Sequence, residues 1–134
     1  MYFSSDVANP DTASKFYADL QMYNLGRAAP DPEGFMLVYC SWEAASKENK
    51  WQGRNVIRWR NDEYDKAFRA AKNELDPVKR AALFIRMNDL VVENRAVIPL
   101  VNRPEVGAAS KKLHMTLSGW DSHLWQLKDW YRDA

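Results

Sequence analysis

DPVKRAALFIRMNDLVVENRAVIPLVNR, residues 76–103, is the stretch that decides the fold of this chain. Asp76 followed by Pro77 is typical of a helix start, because aspartate caps the first turn and proline fits where no N–H is needed. The apolar periodicity after it predicts a helix that ends near Asn94. The apolar run 97–101 then favours a strand.

Two apolar stripes run along this predicted helix. The first consists of large residues: Leu83, Phe84, Met87, Leu90 and Val91. The second lies on nearly the opposite side and has smaller residues: Val78, Ala81, Ala82, Ile85 and Val92. A helix that is apolar on two sides is expected to lie between two layers. We therefore expect the large stripe to pack on a sheet and the small stripe to face a neighbouring helix.

That neighbouring helix is predicted directly upstream. Asn61 is a capping residue type, and apolar residues recur after it at helical spacing: Tyr64, Ala67, Phe68, Ala71 and Leu75. The short connection between the predicted helices 61–74 and 77–94 makes them an antiparallel pair. Strands are predicted at 16–24 and 97–102, and weaker strand patterns occur at 113–117 and 124–131. The predicted fold class is therefore mixed α/β, with a helical pair packed on a small mixed sheet.

Composition argues against several classes of function. The chain has 134 residues and a net charge of +1, which gives no basis for binding nucleic acid. A single cysteine, Cys40, excludes an internal disulfide. His114 and His123 show no metal-ligand spacing with Cys40, and no nucleophile motif or phosphate loop occurs. We therefore expect no metal, no cofactor and no catalytic residue.

The segment 41–60 is the most distinctive in composition. It holds three of the six tryptophans, together with amide and guanidinium side chains: Trp42, Asn49, Trp51, Asn55, Arg58 and Trp59. Flat apolar faces beside hydrogen-bond donors are the mixture found in pockets for peptides or sugars. Tryptophans can equally fill the space beneath a long loop, and the sequence favours neither interpretation.

An ordered set of short motifs resembles the C-terminal portion of family 5 extracellular solute-binding proteins, the peptide-binding components of bacterial ABC importers. The resemblance covers about residues 3–132, and its motifs lie between residues 30 and 100: Pro30-Asp31-Pro32, Trp42, Asn49-x-Trp51-x-Gly53-x-Asn55, Asn61-x-Glu63-Tyr64-Asp65, Asp76-Pro77-x-x-Arg80-x-x-Leu83 and Ile98-Pro99-Leu100. Each motif is weak when taken alone. The motifs occur in the same order in this chain as in the family, which makes the resemblance more specific.

The resemblance implies a lobe fragment of a periplasmic-binding-protein-like II fold. Residues 1–102 would form part of the C-terminal lobe, and residues 103–134 would return to the other lobe. It further implies non-catalytic ligand capture in the periplasm, or elsewhere outside the cytoplasm, for an inner-membrane ABC permease. A lobe fragment is expected to expose apolar surface and could cover it by forming a homodimer.

The ligand residues that the resemblance and the segment 41–60 together predict are six: Tyr23, Asn24, Arg27, Trp42, Trp51 and Asn55. Many peptide-binding relatives have an aspartate before the Asp-Pro turn that pairs with the ligand's ammonium group. In the corresponding segment, residues 23–29, this chain has Arg27 and no acidic residue. Because a guanidinium repels an ammonium and binds a carboxylate, we expect an anionic or modified peptide, or a sugar conjugate.

Two other functions are compatible with the residues. An autonomous carbohydrate-binding module would stack sugar rings on the tryptophans, and the chain alone would then bind sugar. A small hydrolase would use a carboxylate pair such as Glu43 and Glu48, although their spacing does not indicate one.

Overall fold

The structure, a computed structural model, describes residues 8–15, 17, 19–26, 29–102, 104, 106–116, 124 and 126–133. Within these residues it is a small mixed α/β domain with three α-helices and one two-stranded antiparallel sheet. The elements are α1 (Glu33–Met36), α2 (Asp62–Asn73), α3 (Pro77–Glu93), β1 (Leu113–His114) and β2 (Tyr131–Arg132). Short 3₁₀ turns lie at Ala13–Lys15, Leu37–Tyr39, Ser41–Glu43 and Leu127–Asp129.

The predicted helical pair is confirmed, and the observed bounds differ from the predicted ones by at most one residue at each end. Asn61 Oδ1 accepts a hydrogen bond from the Tyr64 amide at 2.9 Å. Asp76 Oδ1 accepts from the amides of Val78 and Lys79 at 2.8 and 3.1 Å. Both caps satisfy amides that a helix start leaves without internal partners.

The main core lies between α2, α3 and the turn before the long loop. Its buried members are Tyr39, Cys40, Tyr64, Ala67, Phe68, Ala71, Phe84, Met87, Leu90 and Val91. The large stripe of α3 therefore faces α2 and not a sheet, so the predicted assignment of the two stripes was wrong. The small stripe is exposed, with Val78 at 77%, Ile85 at 63% and Val92 at 51%. The large stripe packs against α2 because burying its larger side chains removes more apolar surface from water.

The predicted strands are mostly absent from the described residues. In the segment 16–24, residues 17 and 19–24 are irregular, while residues 16 and 18 lie outside the described part. Residues 97–102 are also irregular, and Ile98, Leu100 and Val101 are 68%, 70% and 80% exposed. A strand needs backbone pairing with a neighbouring strand, and no such pairing involves the described residues of either segment.

The C-terminal prediction is confirmed only in part. β1 and β2 pair antiparallel, with Leu113 opposite Arg132 and His114 opposite Tyr131. Each strand has two residues, so the strands are far shorter than the segments 113–117 and 124–131 that the pattern indicated. The helical pair therefore packs against turns and irregular segments rather than against a sheet. The two-stranded sheet is a separate short pairing near the C-terminus.

Candidate functional site

The loop 40–60 is ordered around the side chain of Asn55, which has no exposed surface. Its Nδ2 donates to the carbonyl oxygens of Trp59 at 2.8 Å, Cys40 at 3.1 Å and Tyr39 at 3.4 Å. These acceptors lie at the two ends of the loop, so a single amide ties the loop closed. A ligand contact by Asn55 would require the loop to open, and its predicted role in binding stays a prediction.

A second tie joins the backbone on the two sides of the loop. The Asn55 amide donates to the Glu43 carbonyl at 2.8 Å, and the Ala45 amide donates to the Asn55 carbonyl at 3.1 Å. Gly53 passes so close to this backbone that a Cβ at its position would collide with the Glu43 carbonyl oxygen and lie 2.8 Å from Ala44 C. The loop is therefore closely packed rather than an open cleft.

Trp51 lies at the far turn of the loop. Lys50 and Trp51 both have left-handed backbone conformations, with φ of 54° and 62°. This conformation is uncommon for residues other than glycine, so the turn is held by its neighbours. One of them is Arg58, whose guanidinium carbon lies 5.4 Å from the centroid of the Trp51 ring while its Nε donates to the Ala45 carbonyl at 2.9 Å. The indole is partly buried and has one face near a cation.

Trp42 is the most accessible aromatic side chain of the loop that is predicted to bind ligand, with 43% of its surface exposed. The Phe68 ring meets it edge-on at 5.8 Å, and the Arg69 guanidinium carbon lies 4.6 Å from its ring centroid. Both neighbours belong to α2, so Trp42 joins the loop to the helical pair. A stacking ligand would have to share the indole with a guanidinium group already in place.

The predicted ligand residues upstream of this loop are only partly described. Tyr23 is half-buried and close enough to Tyr39 to contribute to the raised pKa of that residue. Asn24 is exposed, and Arg27 lies outside the described residues. Trp42, Trp51 and Asn55 each contact a different group of residues, and they do not line a common pocket in the described chain. The structure thus places Tyr23 near the core turn, Trp42 beside α2, Trp51 at the loop tip and Asn55 inside the loop.

An ion-pair cluster that the sequence pattern did not predict joins two of the quoted motifs. Arg80 donates two hydrogen bonds to Asp31, from Nη1 to Oδ2 at 2.8 Å and from Nη2 to Oδ1 at 3.0 Å. The Nη2 atom also lies 3.2 Å from Glu33 Oε2, and Nε donates to the Ala71 carbonyl at 3.1 Å. The bonds from Arg80 and from the Glu33 amide hold the pKa of Asp31 below its usual value. The two motifs carry charges of opposite sign, which is compatible with this contact but does not specify it.

Three ionisable groups of the core are held in their neutral forms. Burial raises the pKa of Tyr39 to about 12 and that of Cys40 to about 12. Burial also raises the pKa of Tyr64 far above its usual value, and its hydroxyl donates to the Met36 carbonyl at 2.6 Å. A thiol is nucleophilic only as the thiolate, so both the raised pKa and the burial of Cys40 disfavour its reaction.

A shallow depression of about 350 Å³ lies elsewhere, beside the β1–β2 pair, and no predicted ligand residue lines it. His114 stacks on Tyr131 with ring centroids 4.3 Å apart, and its Nε2 lies 2.8 Å from Asp133 Oδ2. About half of each side chain in this contact is exposed, with values of 45% and 57% for His114 and Asp133. The depression is open and mostly solvent-facing, so we assign no binding role to it.

Within the described ranges, no three His, Cys, Asp or Glu side chains come close enough to hold a metal ion. No helix in the same ranges has the length and apolar content needed to cross a membrane. Comparison of the sequence with protein-family models and with curated proteins, and of the chain with solved structures, finds no match.

Proposed function

We propose that this chain forms part of the ligand-binding component of an ABC importer that captures a peptide-like solute outside the cytoplasm. It would act without catalysis and deliver the solute to an inner-membrane permease. The proposal starts from the ordered motifs that resemble family 5 extracellular solute-binding proteins. In this interpretation the chain is a fragment of a lobe of a periplasmic-binding-protein-like II fold.

The single observation that carries the proposal is the bidentate pair between Arg80 and Asp31. Arg80 comes from the Asp-Pro-x-x-Arg motif, and Asp31 comes from the Pro-Asp-Pro motif 49 residues earlier. Two motifs that were linked only by their order in the sequence are thus in direct contact. That contact supports treating the motif set as one structural unit rather than as chance matches.

The exposed apolar run after α3 also supports the proposal that the chain is part of a larger lobe. Ile98, Leu100 and Val101 belong to the last quoted motif and its continuation, and each is at least 68% exposed. Branched aliphatic residues of this kind suit a strand, and an unpaired strand-like segment is ready to join another sheet. In the proposal, this segment pairs with another strand of the C-terminal lobe, to which residues 1–102 belong.

The ligand would be a peptide-like molecule without a free ammonium group near residue 27. The argument is electrostatic: Arg27 replaces the acid that many peptide-binding relatives carry, and a guanidinium favours a carboxylate. Tyr23, Asn24, Trp42 and Trp51 would provide the remaining contacts. The guanidinium groups near Trp42 and Trp51 would add to the preference for an anionic ligand.

The test uses two polypeptides: the 134-residue chain alone, and the same chain together with any in-frame sequence encoded upstream of it. Each is titrated in a calorimeter with free peptides, N-acetylated peptides and oligosaccharides. We expect binding of acetylated or acidic peptides by the longer polypeptide, weakened by Arg27→Ala. Strong binding of plain peptides that Arg27→Ala leaves unchanged would overturn the ligand assignment.

The same titrations test the transport role against its rival. Saturable binding of an oligosaccharide by the chain alone, lost in Trp42→Ala and Trp51→Ala, would establish a carbohydrate-binding module and refute the proposal. Gln52→Ala is the matched control, because Gln52 is an exposed residue of the same loop and is not one of the predicted ligand residues.

A further inference from the structure

The outward face of α3 carries an apolar stripe. Val78, Ile85 and Val92 recur at intervals of seven residues, and all three are more than half exposed. Ala81 and Ala82 are also exposed and lie between the first two. A repeat of seven places these side chains in one narrow stripe along the helix, which is the pattern of a helix that packs against another helix.

The charges beside this stripe are arranged on one edge. At roughly 100° per residue, Asp89, Glu93 and Lys79 are turned about 40°, 80° and 120° from Ile85, all in the same direction. In the described part of the chain, neither the Lys79 nor the Asp89 side chain belongs to an ion pair. Glu93 has only a long contact of 3.4 Å with Arg86. Two of these charges are therefore not neutralised by ion pairs within the described chain.

Axial positions decide which arrangement would pair these charges. With a rise of about 1.5 Å per residue, Lys79 lies about 9 Å before Ile85, whereas Asp89 and Glu93 lie about 6 and 12 Å after it. If two copies of α3 pack antiparallel about a two-fold axis at Ile85, Lys79 of one copy lies between Asp89 and Glu93 of the other. The symmetry produces this contact twice.

We propose that the outward face of α3 is a self-association surface on which a second copy of this chain docks, antiparallel and centred on Ile85. Val78 of one copy then packs near Val92 of the other, and the two Ile85 side chains meet at the axis. This inference rests on α3 alone and is independent of the proposed role in transport.

A parallel arrangement lacks this complementarity. A two-fold axis along the helices would place the charged edge of one copy against the opposite edge of the other. That edge presents Ala81 and Asn88, which offer no charge to pair with Lys79 or Glu93. In the antiparallel arrangement the two Arg86 side chains approach each other, but each already pairs with Glu63 of its own chain at 2.7 Å.

The first test is sedimentation equilibrium of the 134-residue chain over a wide range of concentration. We expect a reversible shift from the chain mass of 15.6 kDa to twice that value. Ile85→Glu places two carboxylates at the axis and should weaken the dimer by at least about tenfold. The matched control is Ile98→Glu, since Ile98 is 68% exposed against 63% for Ile85 but lies outside α3.

A charge exchange tests the orientation. Lys79→Glu should weaken the dimer several-fold by placing like charges together, and adding Asp89→Lys to the same chain should restore it. Helical circular dichroism of each variant reports whether the fold is kept. A zero-length amine–carboxyl cross-linker applied to the wild-type chain should join Lys79 to Asp89 or Glu93 between copies, which gives a readout that needs no variant.

Several results would overturn the inference. They are a monomer at every soluble concentration, a dimer as sensitive to Ile98→Glu as to Ile85→Glu, failure of the charge exchange to restore association in a folded variant, and intermolecular cross-links confined to other residues.

Discussion

Arg80 on α3 donates two hydrogen bonds to the Asp31 carboxylate, at 2.8 and 3.0 Å, and so connects the second helix of the pair to the chain just before α1. The same guanidinium donates to the Ala71 carbonyl in the last turn of α2 and lies 4.7 Å from the Phe84 ring centroid. One side chain thus joins three segments. A bidentate pair is directional as well as attractive, so it fixes the position of α1 relative to the helices.

Removing this guanidinium should destabilise the domain more than removing a comparable surface arginine. We expect Arg80→Ala to lower the melting temperature by about 5 °C, because several contacts are lost together. Arg86→Ala is the matched control: Arg86 also contacts two acids, but its side chain is 45% exposed against 24% for Arg80. Exposed ion pairs contribute little, so its melting temperature should hardly change. Equal shifts in the two variants would contradict the structural role of Arg80.

The Arg80–Asp31 pair should also make stability depend on acid. The bonds from Arg80 and the Glu33 amide lower the pKa of Asp31 in the folded state relative to the unfolded chain. The pair therefore contributes its full stabilisation above the unfolded value, about pH 4, and loses it as the pH falls through the folded pKa.

Urea unfolding of the wild type and of Asp31→Asn checks this dependence. The difference in unfolding free energy should be constant near neutral pH and shrink below about pH 4. Asp19→Asn changes an exposed carboxylate of the irregular segment and should show no such difference. A gap between wild type and Asp31→Asn that stays unchanged down to the lowest pH would count against a lowered pKa.

Alanine substitutions at two glycines, Gly53 and Gly34, test how closely the loop is packed. A Cβ at Gly53 would collide with the Glu43 carbonyl oxygen and lie 2.8 Å from Ala45 N, whereas a Cβ at Gly34 has no neighbour within 4 Å. Gly53→Ala should therefore cost more than about 2 kcal/mol, since backbone atoms must move. Gly34→Ala, within α1, should stabilise by about 0.5 kcal/mol through helix propensity. Chemical denaturation measures both, and a harmless Gly53→Ala would mean that the loop is looser than described.

The single cysteine reports on the integrity of the core. Cys40 has no exposed surface, and burial together with the nearby carboxylates of Asp65 and Glu43 raises its pKa to about 12. At pH 8, its reaction with a disulfide reagent should be at least ~100-fold slower in the folded chain than in denaturant. A variant with Cys40→Ala and Ser110→Cys, which places the thiol at an exposed position, calibrates the reagent. Rapid labelling of native Cys40 would show that the core opens readily.

Some of the site could be anticipated from sequence and some could not. The asparagines and tryptophans of 41–60 were recognised as an unusual set, but composition does not say whether an amide faces a ligand or its own loop. Asn55 lies inside the loop, where its amide group donates to carbonyl oxygens at both ends of the loop. The contact of Arg80 with Asp31 could not be derived, because it spans 49 residues.

The sequence by itself determined the helical pair and its caps. Asn61, Asp76 and Pro77 act on amides within the next three residues, and the apolar period of 3.6 is local as well, so neither depends on the rest of the fold. Only the tertiary structure decided which stripe of α3 is buried and that the segments 16–24 and 97–102 lack strand pairing in their described residues. Burial and strand pairing depend on what lies opposite, and a pattern along one segment contains no information about its partner.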